Sequence, residues 1–120
     1  MANDTKADTA ETRAAAIRRA VRAVQRGTFT SYGEIARRAG LPGRARLVGQ
    51  VLREAGDAKR LPWHRITGAQ GRIAFPAGSA NARKQLRLLA AEGVKIRGNR
   101  ALPPPAAGAK RSLDALLWKF

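Results

Sequence analysis

The 120-residue sequence contains no cysteine. That absence removes disulfide frameworks, thiolate metal sites and cysteine nucleophiles together. Histidine is nearly as scarce. His64 is the only one, so a zinc site would need carboxylates clustered by the fold, and nothing in the spacing suggests it. Acidic residues number 8 against 24 lysines and arginines, a formal net charge of +16. No run of eighteen apolar residues is present, which argues against a membrane-spanning helix. The first twenty residues carry Asp4, Asp8 and Glu11 and no long apolar stretch, so a cytoplasmic location is expected rather than secretion. Neither a P-loop nor a dinucleotide fingerprint appears, and no cofactor is expected.

What remains is positive charge on a chain long enough for one domain. A hydrophobic fraction of 44% supports a modest core. Arginine dominates the bases with 18 residues, and its planar fork donates two parallel hydrogen bonds to a phosphate. Nucleic acid is the expected partner. A membrane surface fits less well, because no long basic helix also shows a broad bulky apolar face.

Hydropathy spacing divides the chain. Residues 1–7 read as a polar tail, 8–102 as the folded body, and 103–120 as a proline- and alanine-rich linker with a C-terminal segment that docks back. Asp8-Thr9-Ala10-Glu11 has the form of a capping box, and Ala14, Ile17, Val21 and Val24 follow at helical spacing until Gly27. Ser31-Tyr32-Gly33-Glu34 opens a second, short helix with Ile35 and Ala36 inward. Gly40-Leu41-Pro42-Gly43 breaks the chain before a third helix over about 44–55, with Leu47, Val48, Val51 and Leu52 on one side. Two helices joined by a short glycine-containing turn form a helix-turn-helix. On the second of them Arg44, Arg46 and Arg53 stand beside the small residues Ala45 and Gly49, a composition that suits either groove binding or plain packing.

Leu61 to Ile66 reads as a strand, with Arg72 to Phe75 returning along it after turns at Thr67-Gly68 and Gln70-Gly71. Ser79 caps a helix to about Glu92 with Leu86, Leu89 and Ala90 inward and Gly93 as its stop. Val94-Lys95-Ile96 alternates like a strand that Gly98-Asn99 turns back. The expected class is mainly α with small β hairpins, a winged-helix-like helix-turn-helix DNA-binding domain. For a lone histidine a satisfied structural role is the better default, although a pair with Glu92 or Glu34 is open to it.

Three ordered motifs carry a specific resemblance: Ser31-Tyr32-Gly33-Glu34-Ile35-Ala36, Ala45-Arg46-Leu47-Val48-Gly49-Gln50, and Pro62-Trp63-His64-Arg65-Ile66. Their order and spacing are similar to the DNA-binding domain of the O6-alkylguanine-DNA alkyltransferases, over about residues 13–120. In those enzymes the last motif reads Pro-Cys-His-Arg and the cysteine takes the alkyl group; here Trp63 stands in its place. That departure resembles the alkyltransferase-like subgroup, as does the closing Leu-Leu-Trp-Lys at 116–119. The enzymes' separate N-terminal domain has no counterpart in the sequence, and their asparagine after the recognition helix is replaced by Ala55.

The resemblance implies a non-enzymatic monomer that binds duplex DNA carrying O6-alkylguanine and flags it to nucleotide-excision-repair proteins. It makes Arg46 the finger that fills the gap left by an extruded base. Tyr32 crowds the target phosphate, and the helix over 44–55 enters the minor groove. The lesion pocket would comprise Tyr32, Trp63, His64 and Arg65, with Ser31, Arg44, Ala45, Gly49, Gln50 and Arg53 also meeting DNA. His64 and Glu92 match the pair that activates the enzymes' cysteine through water. The loop over 75–78 should border the pocket without supplying a polar or cationic residue. With no catalytic or metal residue expected, the chief alternative is a sequence-specific helix-turn-helix transcriptional regulator. Such a regulator reads base edges in the major groove with long polar side chains, which Ala45 and Gly49 do not offer. A hydrolase or transferase built on His64 and Glu92 is the third possibility.

Overall fold

The computed structural model describes residues 9–56 and 60–104. In chain order these form α1 (Ala10–Arg22), β1 (Thr30–Ser31), α2 (Tyr32–Arg38), α3 (Ala45–Ala55), β2 (Ile66–Thr67), α4 (Ala80–Ala91), β3 (Lys95–Arg97) and β4 (Arg100–Leu102). Single 3-10 turns fall at Trp63–Arg65 and Ala69–Gly71. The mainly helical class expected from the sequence is the one observed. The expected tail over 1–7 and the docking segment after Pro104 lie outside the described residues.

The N-cap of α1 is Thr9, whose hydroxyl accepts from the Thr12 N–H at 3.0 Å. Ile17 and Val21, four apart, are fully buried. The helix stops at Arg22, a turn before the expected Gly27, where the Val24 N–H turns to the Val21 carbonyl at 3.1 Å instead of continuing the i→i−4 ladder. The looser turn that follows still brings Val24 into the core.

Ser31 caps α2 by accepting from the Glu34 N–H at 3.0 Å. The reciprocal half of the capping box is not made. Glu34 turns outward to Arg37 Nε at 2.9 Å and Arg38 Nε at 3.0 Å. At the other end Gly40, at φ +79°, donates to the Arg37 carbonyl and Leu41 donates to that of Ala36 at 2.8 Å. This two-bond closure satisfies the helix's last carbonyls and folds Leu41 back onto the core. The chain then enters α3, which packs extensively on α2 through Val48 and Val51. The predicted helix-turn-helix is therefore present. Ile17, Val21, Ile35, Ala36, Val48, Val51, Leu61 and Ile66 fuse the three helices and the chain after α3 into one cluster. Each larger side chain in it contributes about 1.5–3 kcal/mol by leaving water.

The strand expected over 61–66 is instead a 3-10 turn followed by β2, and its partner is β1. The pairing is parallel, Thr30 against Ile66 and Ser31 against Thr67. The returning strand expected over 72–75 is absent; Arg72 makes one isolated bridge to Arg100, and the Ile73 N–H goes to the Asn99 carbonyl at 2.9 Å. The cause lies in α4. Gln85, fully buried, donates from Nε2 to the carbonyls of His64 at 3.0 Å and Ile66 at 2.9 Å, holding that segment from the side.

Ser79 caps α4 as expected, accepting from Ala82, and Gly93 with Val94 closes it by the same two-bond pattern. The inward face is Ala82, Gln85 and Leu89, so Ala90, expected inward, is exposed. β3 and β4 form the expected hairpin about Gly98 and Asn99. Ile73, Ala82, Leu89, Val94 and Ala101, with Phe29 and Phe75 against them, make a second cluster. Gly71, at φ +77°, is required where the two halves meet: a Cβ there would stand 2.1 Å from the Ala101 carbonyl oxygen.

Candidate nucleic-acid interface

An open cleft of about 780 Å³ lies between the exposed side of α3, the first residue of α2 and the Trp63 turn. Ala45, Arg46, Gly49, Gln50, Leu52 and Arg53 form its α3 wall, and Tyr32, Trp63, Ala74 and Phe75 complete it. Arg44, Arg46 and Arg53 are exposed, and no carboxylate among the described residues pairs with them. Their donors are available to an outside acceptor. Gln50 spends its amide on Glu54 at 3.1 Å, while Ser31 spends its hydroxyl on capping α2. Arg44 precedes α3 without a side-chain cap bond.

Tyr32 is half-buried against the helical core. Burial pushes its phenol pKa up, with the Arg53 charge pulling weakly the other way. The hydroxyl stays protonated at neutral pH and remains a hydrogen-bond donor. Trp63 presents its indole to the cleft, braced edge-on by Phe75 at 6.2 Å and by His64 at 6.3 Å between ring centroids. The ammonium of Lys84, from α4, stands 5.9 Å from the indole centroid.

His64 and Arg65, expected in the pocket lining, do not line the cleft. Both are drawn to Glu92. Arg65 donates from Nε and Nη2 to the two carboxylate oxygens at 3.0 and 2.8 Å, and from Nη1 to the Val24 carbonyl at 3.0 Å. His64 Nε2 lies 2.8 Å from Glu92 Oε2, and the Gly27 N–H donates to Oε1 at 3.0 Å. Because an ionised carboxylate only accepts, His64 carries its hydrogen on Nε2. Four donors thus surround a carboxylate whose side chain is 6% exposed, tying the loop after α1, the Trp63 turn and the end of α4 together.

These donors, the Arg65 guanidinium foremost, pull the Glu92 pKa down from 4.5 to about 2. A depressed pKa in the folded state means that stability is fully present above about 4.5 and is lost as pH falls towards about 2. Glu34, partly exposed beside Arg37 and Arg38, is lowered similarly, so a variant comparison isolates Glu92. The stability difference between the native chain and Glu92→Gln, from denaturant unfolding, should shrink steadily from pH 5 to pH 2.

Three residues near the cleft were not marked by sequence reasoning as site residues. Phe75, expected at the border of the pocket but given no role there, braces Trp63 with its ring. Gln85 shares the i, i+3, i+7 spacing of Ala82 and Leu89, a legible sign that its face is buried. Lys84 gave no sign, because its proximity to the indole arises only from the packing of α4. No group of three histidine or acidic side chains that could hold a metal occurs among the described residues.

Comparison with known proteins agrees with this geometry. Residues 13–94 match the family described as 6-O-methylguanine DNA methyltransferase, DNA binding domain. The chain is 38% identical to the DNA base-flipping protein of Escherichia coli over 79 residues, 66% of this chain and 60% of that protein. It is 40% identical to alkyltransferase-like protein 1 of Schizosaccharomyces pombe over 70 residues, 58% and 65% of the two chains. Among solved structures, S. pombe Atl1 in complex with damaged DNA containing O6-carboxymethylguanine superposes with a TM-score of 0.69 at 33% identity, covering 78% of this chain and 90% of that one. The matched stretch thus spans less than two thirds of the E. coli and S. pombe sequences, while the family match over 13–94 takes in every residue that lines the cleft. The chain belongs to the family defined by the DNA-binding domain of the 6-O-methylguanine DNA methyltransferases.

Proposed function

We propose that this protein binds duplex DNA carrying O6-alkylguanine, turns the damaged nucleotide out of the stack, and holds it in the cleft beside Trp63 without altering it. The observation that carries this reading is an indole at the wall of an open cleft in a chain with no cysteine. Extruding a base costs a few kcal/mol, least where pairing is already weakened by alkylation. Arg46, unpaired within the described residues and projecting from α3, fills the vacated space. Tyr32 donates to the target phosphate and crowds it. The apolar faces of Trp63 and Phe75 then receive the flipped base. A thiolate is the nucleophile that alkyl transfer in this family relies on, and none is available here. His64 and Glu92 offer no substitute in the cleft, because neither of them lines it. The protein acts as a monomeric, non-enzymatic flag for nucleotide excision repair. Trp63, Tyr32 and Arg46 are its lesion-contacting residues, and Arg44, Ala45, Gly49, Gln50 and Arg53 flank them in the minor groove.

Calorimetric titration of two duplexes identical except for one O6-methylguanine tests the reading. Tighter binding of the damaged duplex is expected, and equal affinity for the two would remove lesion recognition. Two further outcomes follow from α3. A Cβ at Gly49 would meet only Arg53 Nη1, at an ordinary 3.5 Å, so nothing inside the fold requires glycine there. Gly49→Ala should therefore stabilise the fold by about 0.5–1 kcal/mol, the usual helix-interior difference, while weakening binding to every duplex by obstructing the groove. Thermal unfolding and titration together check it. Arg44→Ala should weaken damaged and undamaged duplexes alike, lowering the slope of log affinity against log salt by about 1.

A further inference from the structure

Lys84 is the least explained charge near the cleft. No carboxylate among the described residues pairs with it, and α4 contains no acidic residue from Ala80 to Ala91. Its backbone is fixed relative to Trp63, because the next residue, Gln85, is buried and bonded to the carbonyls of His64 and Ile66 on either side of Arg65. Its ammonium stands 5.9 Å from the Trp63 centroid. The rings of Phe75 and His64 stand edge-on to Trp63, and Leu52 and Ala74 share its cleft. Arg46 and Arg53 line that cleft from α3, whereas Lys84, from α4, is the cation that stands over the indole ring itself.

We infer that Lys84 is a specificity-determining residue that makes the site prefer guanines whose O6 substituent ends in a carboxylate over neutral substituents of equal size. The inference rests on the proposed function above and names its substrate class. A neutral alkyl group placed against Trp63 gains dispersion and burial but nothing from a cation, whereas a carboxylate on a two-carbon arm gains a charge pair. Lys84 is exposed, so its flexible stem can follow the substituent, and the pair is worth the few-fold of a partly solvated contact.

The test compares three duplexes of one sequence, carrying guanine, O6-carboxymethylguanine or its neutral isostere O6-carbamoylmethylguanine. Affinities are measured for the native chain and for Lys84→Gln, Lys84→Arg and Arg83→Gln. The native chain should hold the carboxymethyl duplex about fivefold more tightly than the carbamoylmethyl one, the range of partly exposed ion pairs. Lys84→Gln should erase that ratio while leaving carbamoylmethyl binding within about twofold, and Lys84→Arg should keep it. Arg83→Gln removes the same charge from the neighbouring exposed position and should leave the ratio unchanged, which separates a local contact from overall charge. A ratio of one in the native chain, or a ratio that survives Lys84→Gln, overturns the role of Lys84. If neither adduct is bound better than guanine, the proposed function itself fails.

Discussion

Arg46→Ala is expected to cost about 2 kcal/mol of affinity for an O6-methylguanine duplex, roughly 30-fold, while leaving the fold untouched. Both halves of that expectation come from position. The side chain is exposed, it has no ion-pair partner among the described residues, and it projects from the α3 wall of the cleft. Its truncation removes nothing from the core, so unfolding free energy should move by less than about 0.5 kcal/mol. What is lost is the group that occupies the space behind an extruded base, and the unstacking cost is then no longer offset. Affinity for undamaged duplex should fall only by the share of one phosphate contact. Lysine at this position should restore charge without the planar guanidinium, giving partial recovery. Equal losses on damaged and undamaged DNA would reduce Arg46 to a backbone contact and remove insertion from the mechanism.

Glu92→Gln is expected to cost about 3 kcal/mol of fold stability, because it leaves the Arg65 charge largely buried beside a neutral amide. For a domain of this size that corresponds to a fall in Tm of about 15 °C. Geometry sets the size of the effect. One carboxylate accepts from Arg65 twice, from His64 and from the Gly27 backbone, and so joins three parts of the chain far apart in sequence. Replacing Arg65 by methionine in the same chain should recover part of the loss, since it removes the stranded cation. A change below about 0.5 kcal/mol would mean that the Glu92 network contributes nothing net, as some ion pairs do. The pair that in the enzymes serves a cysteine is thus assigned here to holding the Trp63 turn in place.

The helical part of this fold is legible in the sequence because its signals are local. Serine at a helix start, glycine just past a helix end, and apolar residues three or four apart each act within one turn. They locate α2, α3 and α4 closely. Ala45, Gly49 and Arg53 recur every four residues, so they share the side of α3 that lines the cleft. The misread region is 61–75, where structure depends on partners remote in sequence. Parallel pairing of Ile66 with Thr30 and the two bonds from Gln85 to the His64 and Ile66 carbonyls override a strand-like hydropathy pattern. The same cause displaced two site residues. His64 and Arg65 sit next to Trp63 in sequence, yet Glu92, 27 residues beyond Arg65, turns their side chains away from the cleft. Lys84 and Phe75 reach the indole only because α4 and the preceding loop pack where they do.

The central proposal is that the protein selects a damaged guanine and leaves it intact, and one measurement addresses both parts. A limiting amount of protein is mixed with excess duplex, half of it carrying a single O6-methylguanine. The protein-bound DNA is then recovered and its O6-methylguanine content quantified by mass spectrometry after digestion. Enrichment of the adduct above the input fraction is the predicted result. A fraction equal to the input would show that damage is not recognised, and a fraction below it would show that the adduct is removed or avoided; either contradicts a protein that holds the lesion unchanged.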